Sequence, residues 1–479
     1  MGRVLSVASE CVPLVKTGGL ADVVGALPGA LAPRGWEMRV LIPAYPGVLE
    51  KLGRVSKPLW RAADLFGGPA RLVSGEAGGV SVLALQAPHL FDRAGGPYGG
   101  PAGDHPDNPE RFAALCWVAA EIAGRGLGDG WRPDLLHAHD WQGGLAPAYL
   151  RQQGSRVPSV LTIHNIAFQG LAPADRRAAL RLEAGGYRSE GYEYWGQIST
   201  LKAGLVWADA ITTVSPSYAE ELMRPEFGMG LEGVIRNRAA DLTGILNGTD
   251  TAVWDPGRAP VPYSARAMKG KAANRAALLA ECGLGAVPGP LAIVVSRLTG
   301  QKGIDLIVEA APGFVAQGGG LIVLGSGEPE LEQALRDLAG SHPERVAVRI
   351  GYDEALSQRM FAGGDAVLVP SRFEPCGLTQ MYGLRFGTIP VVAATGGLAD
   401  TVITANPAAL QAGVATGLTF HPTDALALGQ SLRRLVELHA APALWAALQR
   451  RAMRADVSWE ASSRAYAALY DRLTTRPGT

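Results

Sequence analysis

Asp365-Ala366-Val367-Leu368-Val369-Pro370, followed by Ser371-Arg372-Phe373-Glu374-Pro375-Cys376-Gly377-Leu378-Thr379-Gln380, is the stretch around which the chain is organised. Its first six residues form a short apolar, β-branched run of the kind buried in a parallel sheet, and Gln380 to Phe386 reads as helix. The result is a strand-loop-helix junction. In open α/β sheets ligands bind outside the carboxyl ends of the strands, where the unpaired N–H groups of the following helix point. Pro375 suits a first helical position, and Gly377 permits close backbone approach. Glu374 supplies a carboxylate that can accept from neutral hydroxyls or face developing positive charge. With free amides and the Thr379 hydroxyl on the same rim, the junction suits a sugar joined to a phosphate. Alone, it fits equally well a carboxylate capping a helix beside a core cysteine, so the neighbouring segments decide.

Upstream, Leu291 to Ser296 reads as strand, Arg297-Leu298-Thr299-Gly300-Gln301-Lys302-Gly303 as its loop and Ile304 to Val315 as helix. Two cations on a glycine-containing loop before a helix N-terminus form an anion site. Only seven of the 44 basic residues are lysines, so Lys302 and Lys16, both in glycine-rich loops, suggest positions where a compact ammonium is wanted. Further strands follow at Leu321 to Leu324 and Arg345 to Gly351, with Tyr352 placed where a ring could stack on a base. After the strand Ile389 to Ala394, Thr395-Gly396-Gly397-Leu398-Ala399-Asp400 repeats the Thr-Gly-Gly-Leu-Ala-Asp of residues 17 to 22, which is consistent with two similar halves.

The first half begins with a strand from Arg3 to Ser9, a loop holding Lys16-Thr17-Gly18-Gly19-Leu20, a helix from about Ala21 through Arg34 and a strand from Glu37 to Pro43. That glycine loop is a phosphate or sugar cradle without the full dinucleotide spacing, which disfavours a nicotinamide cofactor. Residues 52 to 110 are less regular, with a glycine-rich loop over 95–101. Asp134 to Trp141 and Ser159 to Asn165 then read as strands that deliver His139-Asp140 and His164-Asn165 to one rim. His137 and His139 share a strand face, and no close third ligand is evident, so a metal is not expected. Ala210 to Pro216 is another strand, and Ile245-Leu246-Asn247-Gly248-Thr249-Asp250 closes the first sheet.

A chain of 479 residues exceeds a single core. The expected division is 1–250 for the first α/β domain, 251–287 for a connecting segment, 288–456 for the second domain, and 457–479 for a helical segment packing back across the junction. Acidic and basic residues number 44 each, so no net field draws the chain to nucleic acid or an anionic membrane. No apolar run is long enough to span a bilayer. The four cysteines are far apart without ligand or paired spacing, and the opening residues already read as strand rather than signal peptide, which together imply the cytoplasm.

Lys16 to Val23, His137-Ala138-His139-Asp140-Trp141, Thr162-Ile163-His164-Asn165, Asn247 to Asp250, Arg297 with Lys302, and Glu374 to Leu378 together resemble bacterial glycogen synthase and plant starch synthase. The resemblance runs in order over nearly the whole chain. Phe168 and Trp195 depart from the tyrosines more usual at those positions. The resemblance implies a GT-B glycosyltransferase: two Rossmann-like, doubly wound domains facing one another across a deep cleft. It implies transfer of glucose from ADP-glucose to the non-reducing end of an α-1,4-glucan with retention of configuration, and no cofactor. By the same implication Arg297 and Lys302 bind the diphosphate, and Glu374 with the groups at Cys376, Gly377, Leu378 and Thr379 holds the donor glucose. His164 acts near the anomeric centre, and Lys16, Gly18 and Gly19 approach the donor. Asp22, Asp140, Asn165 and Asn247 line the cleft, and Tyr352 packs by the adenine.

The chemistry of the residues agrees, since breaking a glycosyl-phosphate bond calls for cations around the leaving group and oxygen atoms around the sugar. Retention ordinarily invites a nucleophilic carboxylate. No second such carboxylate stands out, which favours attack from the leaving-group face. A glucan phosphorylase would need pyridoxal phosphate on a lysine, for which few candidates exist. An inactive glucan-binding scaffold has no use for a phosphate clamp. Nothing in the spacing separates ADP from UDP, and the choice of ADP follows from the resemblance alone. Oligomeric state is not legible in the chain.

Overall fold

The computed structural model describes residues 1–100 and 103–475; the end of the glycine-rich loop at Pro101 and the last four residues of the expected 457–479 segment lie outside them. The chain divides into two units, one formed by Met1–Gly248 with the segment from Trp459 onward, the other by Thr249–Ser458.

In the first unit the strands of the main sheet are β1 (Gly2–Val7), β2 (Trp36–Pro43), β3 (Trp60–Ala62), β4 (Ala70–Ala77), β5 (Val80–Gln86), β6 (Leu135–His139), β7 (Ser159–Ile163), β8 (Ala210–Thr213) and β9 (Leu242–Gly244). They form one sheet in the order β9-β8-β7-β6-β1-β2-β5-β4-β3, in which β4 pairs antiparallel with β3 and β5 and every other pair is parallel. The chain builds outward from β1 through β2 and β5, then crosses to the other side of β1 for β6. The loops after β1 and β6 therefore leave in opposite directions and open a crevice at the carboxyl ends of the strands. The last strand is Leu242–Gly244 rather than the expected Ile245 to Asp250. Ile245 is buried beneath the sheet, and its N–H bonds Thr213 O before the backbone turns away.

The helix Trp459–Thr474 belongs to this unit. Tyr466, Tyr470 and Leu473 on its apolar stripe are buried with Leu27, Leu31 and Trp36, and the Trp36 and Tyr470 rings meet edge to face at 5.3 Å.

The second unit contains β10 (Leu291–Val295), β11 (Gly320–Gly325), β12 (Val346–Ile350), β13 (Ala366–Val369), β14 (Ile389–Ala393) and β15 (Leu418–Phe420). All pairs are parallel, in the order β12-β11-β10-β13-β14-β15. This is the doubly wound 3-2-1-4-5-6 order, with its switch point between β10 and β13. Their near-continuous burial explains the unbroken apolar runs in the sequence.

Residues 251–287 pack into this unit. Tyr263, Leu278 and Cys282 share a core with Leu291 and Ile293, and the Trp254 ring stacks on Tyr382 at 3.7 Å. Helix Thr379–Phe386 begins one residue before the expected Gln380, and Pro375 is not its first residue; the loop continues to Leu378 because Gly377 adopts a left-handed φ of 72°.

Candidate functional site

The crevice of the second unit lies between the loops that follow β10 and β13, and they are tied to each other by backbone. Arg372 N–H donates to Gln301 O at 2.9 Å, and the Gln301 amide donates to Phe373 O at 3.2 Å. Gly303 closes the approach, since a Cβ there would sit 2.1 Å from Pro370 O. This seam brings Lys302 Nζ to 2.5 Å from Glu374 Oε2, while Ser371 Oγ donates to the same oxygen at 2.9 Å. Glu374 is buried, and Lys302 is only partly exposed. A carboxylate in such a place needs its cation and its hydroxyl to offset desolvation. Cys376 is buried, whereas Gly377, Leu378 and Thr379 are half-open on the rim.

Beneath this loop lies the second Thr-Gly-Gly-Leu-Ala-Asp copy. Gly397 N–H donates to Glu374 O at 3.2 Å and to Pro375 O at 3.1 Å. Cβ atoms at Gly396 and Gly397 would fall 2.0 Å from Glu374 O and 2.2 Å from Cys376 O, so only glycine lets the two backbones touch. Arg297 is exposed on the loop after β10, and no hydrogen bond of its side chain is formed among the described residues. Tyr352, 82% exposed just beyond β12, hydrogen-bonds Glu354.

The crevice of the first unit is built around two carboxylates. Glu10, just past β1, is buried and accepts from Thr17 Oγ1 at 2.5 Å, Gly18 N–H at 3.2 Å, Thr17 N–H and the Tyr98 hydroxyl. It thereby folds the glycine loop back onto the sheet. Around Gly18 and Gly19 nothing lies within 4 Å of where a Cβ would be, and Lys16 Nζ reaches Asp22 at 2.7 Å on the exposed side. Asp140, just past β6, holds a left-handed φ of 49° and accepts from His164 N–H at 2.6 Å and Asn165 N–H at 3.3 Å. Burial pushes its carboxyl up to about 7, opposed by those two N–H groups.

His164 Nε2 is 3.0 Å from His139 Nδ1, whose Nε2 is 3.1 Å from Ser6 Oγ. His137 lies between Tyr470 OH at 2.7 Å and Thr162 Oγ1 at 2.6 Å. Burial pulls His137 and His164 down to about 3 and His139 well below its usual value, so all three are neutral. Five of their six ring nitrogens face protein groups in a protein-only network, and among the described residues no three His, Cys, Asp or Glu side chains are grouped to hold a metal ion. Asn247 is buried, and its Oδ1 has no hydrogen-bond partner among the described residues.

Sequence reasoning thus reached Lys302 with Glu374, Lys16 with Asp22, and Asp140 with His164 and Asn165. It passed over Glu10, Ser371 and Tyr98, and it quoted His139 without giving it a part. An isolated glutamate directly after an apolar strand was the one available signal for Glu10.

Comparison with known proteins places both crevices in context. Starch synthase catalytic domains match residues 3–237, and glycosyl transferases group 1 match residues 286–451. The catalytic domain of starch synthase IV from Arabidopsis thaliana, solved bound to ADP and acarbose, superposes with a TM-score of 0.89 at 30% identity over 99% of this chain and 100% of that one. Sucrose-phosphate synthase from Thermosynechococcus elongatus shares the fold, with a TM-score of 0.63 at 20% identity over 100% of both chains. The class is therefore that of the GT-B glycosyltransferases, with a mostly parallel sheet in the first unit and an all-parallel one in the second. Glycogen synthase of Cereibacter sphaeroides is 64% identical over 473 residues, 98% of each chain, and that of Paracoccus denitrificans is 61% identical over 475 residues, 99% of this chain and 100% of its own. The chain belongs to the glycogen synthase family of hexosyltransferases.

Proposed function

We propose that the protein transfers glucose from ADP-glucose to the non-reducing end of an α-1,4-glucan with retention of configuration, as a step of glycogen synthesis in the cytoplasm. The observation that carries this reading is the Lys302–Glu374 pair at the switch point of the second unit, with Arg297 on the same loop as Lys302. Family membership and a relative solved with ADP and acarbose support it. Among the described residues no helix is long and apolar enough to cross a membrane.

In this reading Arg297 and Lys302 neutralise the diphosphate. Lys302, held by Glu374 in the free protein, shares its charge with the phosphate once the donor binds, and Glu374 with the half-open positions 377–379 accepts from and donates to glucose hydroxyls. Tyr352 packs by the adenine. Lys16, the open space at Gly18 and Gly19, Asp22, Asp140, His164, Asn165 and Asn247 serve the sugars. The bond from the anomeric carbon to the β-phosphate oxygen breaks, and a bond to the acceptor 4-hydroxyl oxygen forms on the same face. The hydroxyl proton passes to the departing phosphate oxygen. Glu374 is committed to Lys302 and Ser371, and Asp140 to two backbone N–H groups, so neither is free to act as a covalent nucleophile.

Incorporation of labelled glucose into glycogen from ADP-glucose and from UDP-glucose, with Glu374→Ala beside the native chain, tests this. Incorporation from ADP-glucose that the substitution abolishes is expected. Incorporation from UDP-glucose alone would overturn the donor, and none from either donor would overturn the reaction.

A further inference from the structure

The 297–303 loop after β10 carries Arg297 and Lys302, and it is gripped at one peptide from two sides. Gly300 N–H donates to Glu328 Oε1 at 3.2 Å, from the loop after β11, while Gly300 O accepts from Arg372 Nη1 at 2.6 Å, from the loop after β13. The same guanidinium forks onto Asp305, with Nη1 at 2.7 Å from Oδ1 and Nη2 at 2.6 Å from Oδ2. Asp305 lies in the first turn of the helix Ile304–Ala316. Arg372 thus holds the chain on both sides of Lys302.

The loops after β10 and β13 are already joined without the guanidinium, by Arg372 N–H to Gln301 O and by the Gln301 amide to Phe373 O. Their adhesion does not need the side chain. The Arg372 and Asp305 side chains are 42% and 43% exposed, where ion pairs add little to stability. What the fork adds is position. The backbone turns between Gly300 and Gly303, whose φ of 68° is left-handed, and Gly300 O closes that turn by accepting from Gly303 N–H at 3.0 Å. A guanidinium on the same oxygen therefore fixes the turn that aims Lys302. It also cancels a charge. Its hydrogen bonds hold the Asp305 carboxyl below the usual range, so that carboxylate is ionised and, unpaired, would oppose an anion beside Lys302.

We propose that Arg372 is a positioning residue of the transfer reaction, which holds Lys302 in place for the departing diphosphate through the Gly300 peptide and the first turn of the following helix. The proposal rests on the reading of Lys302 as a leaving-group cation. Arg372 acts through Lys302 and not on the reacting atoms. Lysine cannot replace it, because a single ammonium cannot fork onto a carboxylate and reach a carbonyl beside it.

The test uses Arg372→Ala and Arg372→Lys, with Arg372→Ala also made in a Lys302→Met background. Expected for both single variants is a kcat/KM for ADP-glucose lowered roughly 10- to 100-fold, the scale of a displaced reacting group. ADP should bind more weakly by calorimetry, while the KM for glycogen and the thermal midpoint stay unchanged. In the Lys302→Met background Arg372→Ala should cost nothing further, since residues that act as a unit are not additive. Undiminished kcat/KM in Arg372→Ala would overturn the proposal, as would native kinetics in Arg372→Lys. A full additional loss in the Lys302→Met background, or a loss that only follows a lowered thermal midpoint, would do the same. Lys302→Met alone tells this proposal from the reading beneath it. Full turnover in that variant overturns both, whereas its loss beside an undiminished Arg372→Ala overturns the positioning role alone.

Discussion

His139 Nδ1 lies 3.0 Å from His164 Nε2 and His139 Nε2 lies 3.1 Å from Ser6 Oγ, so side chains from three neighbouring strands of the first sheet form one line. The line has two settings. If Ser6 donates to His139, then His139 donates to His164, and His164 Nδ1 carries a proton; if the order reverses, Nδ1 presents a lone pair. Both settings need neutral rings, which burial ensures.

That neutrality should make the protein acid-sensitive. Unfolded histidines titrate near 6.5, whereas His137 and His164 hold out to about 3 and His139 is also depressed. Below pH 6.5 the unfolded chain therefore binds three protons that the folded chain refuses. Asp140 opposes them, since at about 7 it keeps a proton that an unfolded carboxyl releases near 3.8. Three against one leaves the unfolded state ahead, so stability falls as pH drops below 6.5, by about 1.4 kcal/mol per pH unit for each net proton. Urea unfolding at pH 7.5 and pH 5 measures this, and His137→Gln should lessen the difference.

Turnover should change with pH near the Asp140 value of about 7. The ionised form is the better acceptor for the His164 and Asn165 N–H groups, so kcat should rise as pH passes upward through this range. Asp140→Asn keeps a residue that tolerates a left-handed φ and should flatten the profile. A break retained in that variant would assign it to another group.

Lys302→Met strips Glu374 of its cation in a buried place and leaves it Ser371 alone. Turnover with ADP-glucose should fall by about 10²–10³, the usual loss when one preorganised charge is removed. Calorimetry of ADP binding to the same variant should show weaker affinity. Undiminished turnover would take Lys302 out of the leaving-group role.

The two Thr-Gly-Gly-Leu-Ala-Asp copies should respond in opposite ways to alanine. Gly397→Ala must move the Cys376 backbone, so the thermal midpoint and activity should drop together. Gly18→Ala meets open space and should leave the midpoint unchanged, so that any change in KM for ADP-glucose reports crowding of a ligand. Thermal scans beside initial rates separate the two.

Lys271 is wholly buried with its Nζ 2.9 Å from Thr388 Oγ1, 3.1 Å from Phe386 O and 3.3 Å from Phe361 O. Lys271→Met should cost about 3 kcal/mol, because those carbonyls lose their donor without access to water. Denaturant unfolding reads the loss directly.

These residues show what was legible in the sequence. Strands such as Leu291–Val295 and Ala366–Val369 announce themselves because both faces are covered, and glycines and prolines mark their loops. Lys302 and Glu374 were legible because each sits in a loop directly after such a strand. Lys271 was not, since its cage is made of carbonyls, which carry no side-chain signature. The helix Lys269–Glu281 buries Gly270, Lys271 and Asn274 beside Leu278, and this polar inner face hides its periodicity. Glu10 depends on a loop curling back seven residues to meet it, a shape fixed only by contacts with Thr17, Gly18 and Tyr98.

The helix Trp459–Thr474 has a consequence for the order in which the protein is made. Tyr470 bonds His137 and packs on Trp36, so the interior of the first unit is finished by residues that leave the ribosome only after the whole of Thr249–Ser458 has been made. The unit spanning Thr249–Ser458 is continuous in the chain and can close in the meantime. The nascent first sheet waits with an apolar face uncovered, and synthesis must reach the C-terminal helix before His137 and the line beside it have their final surroundings.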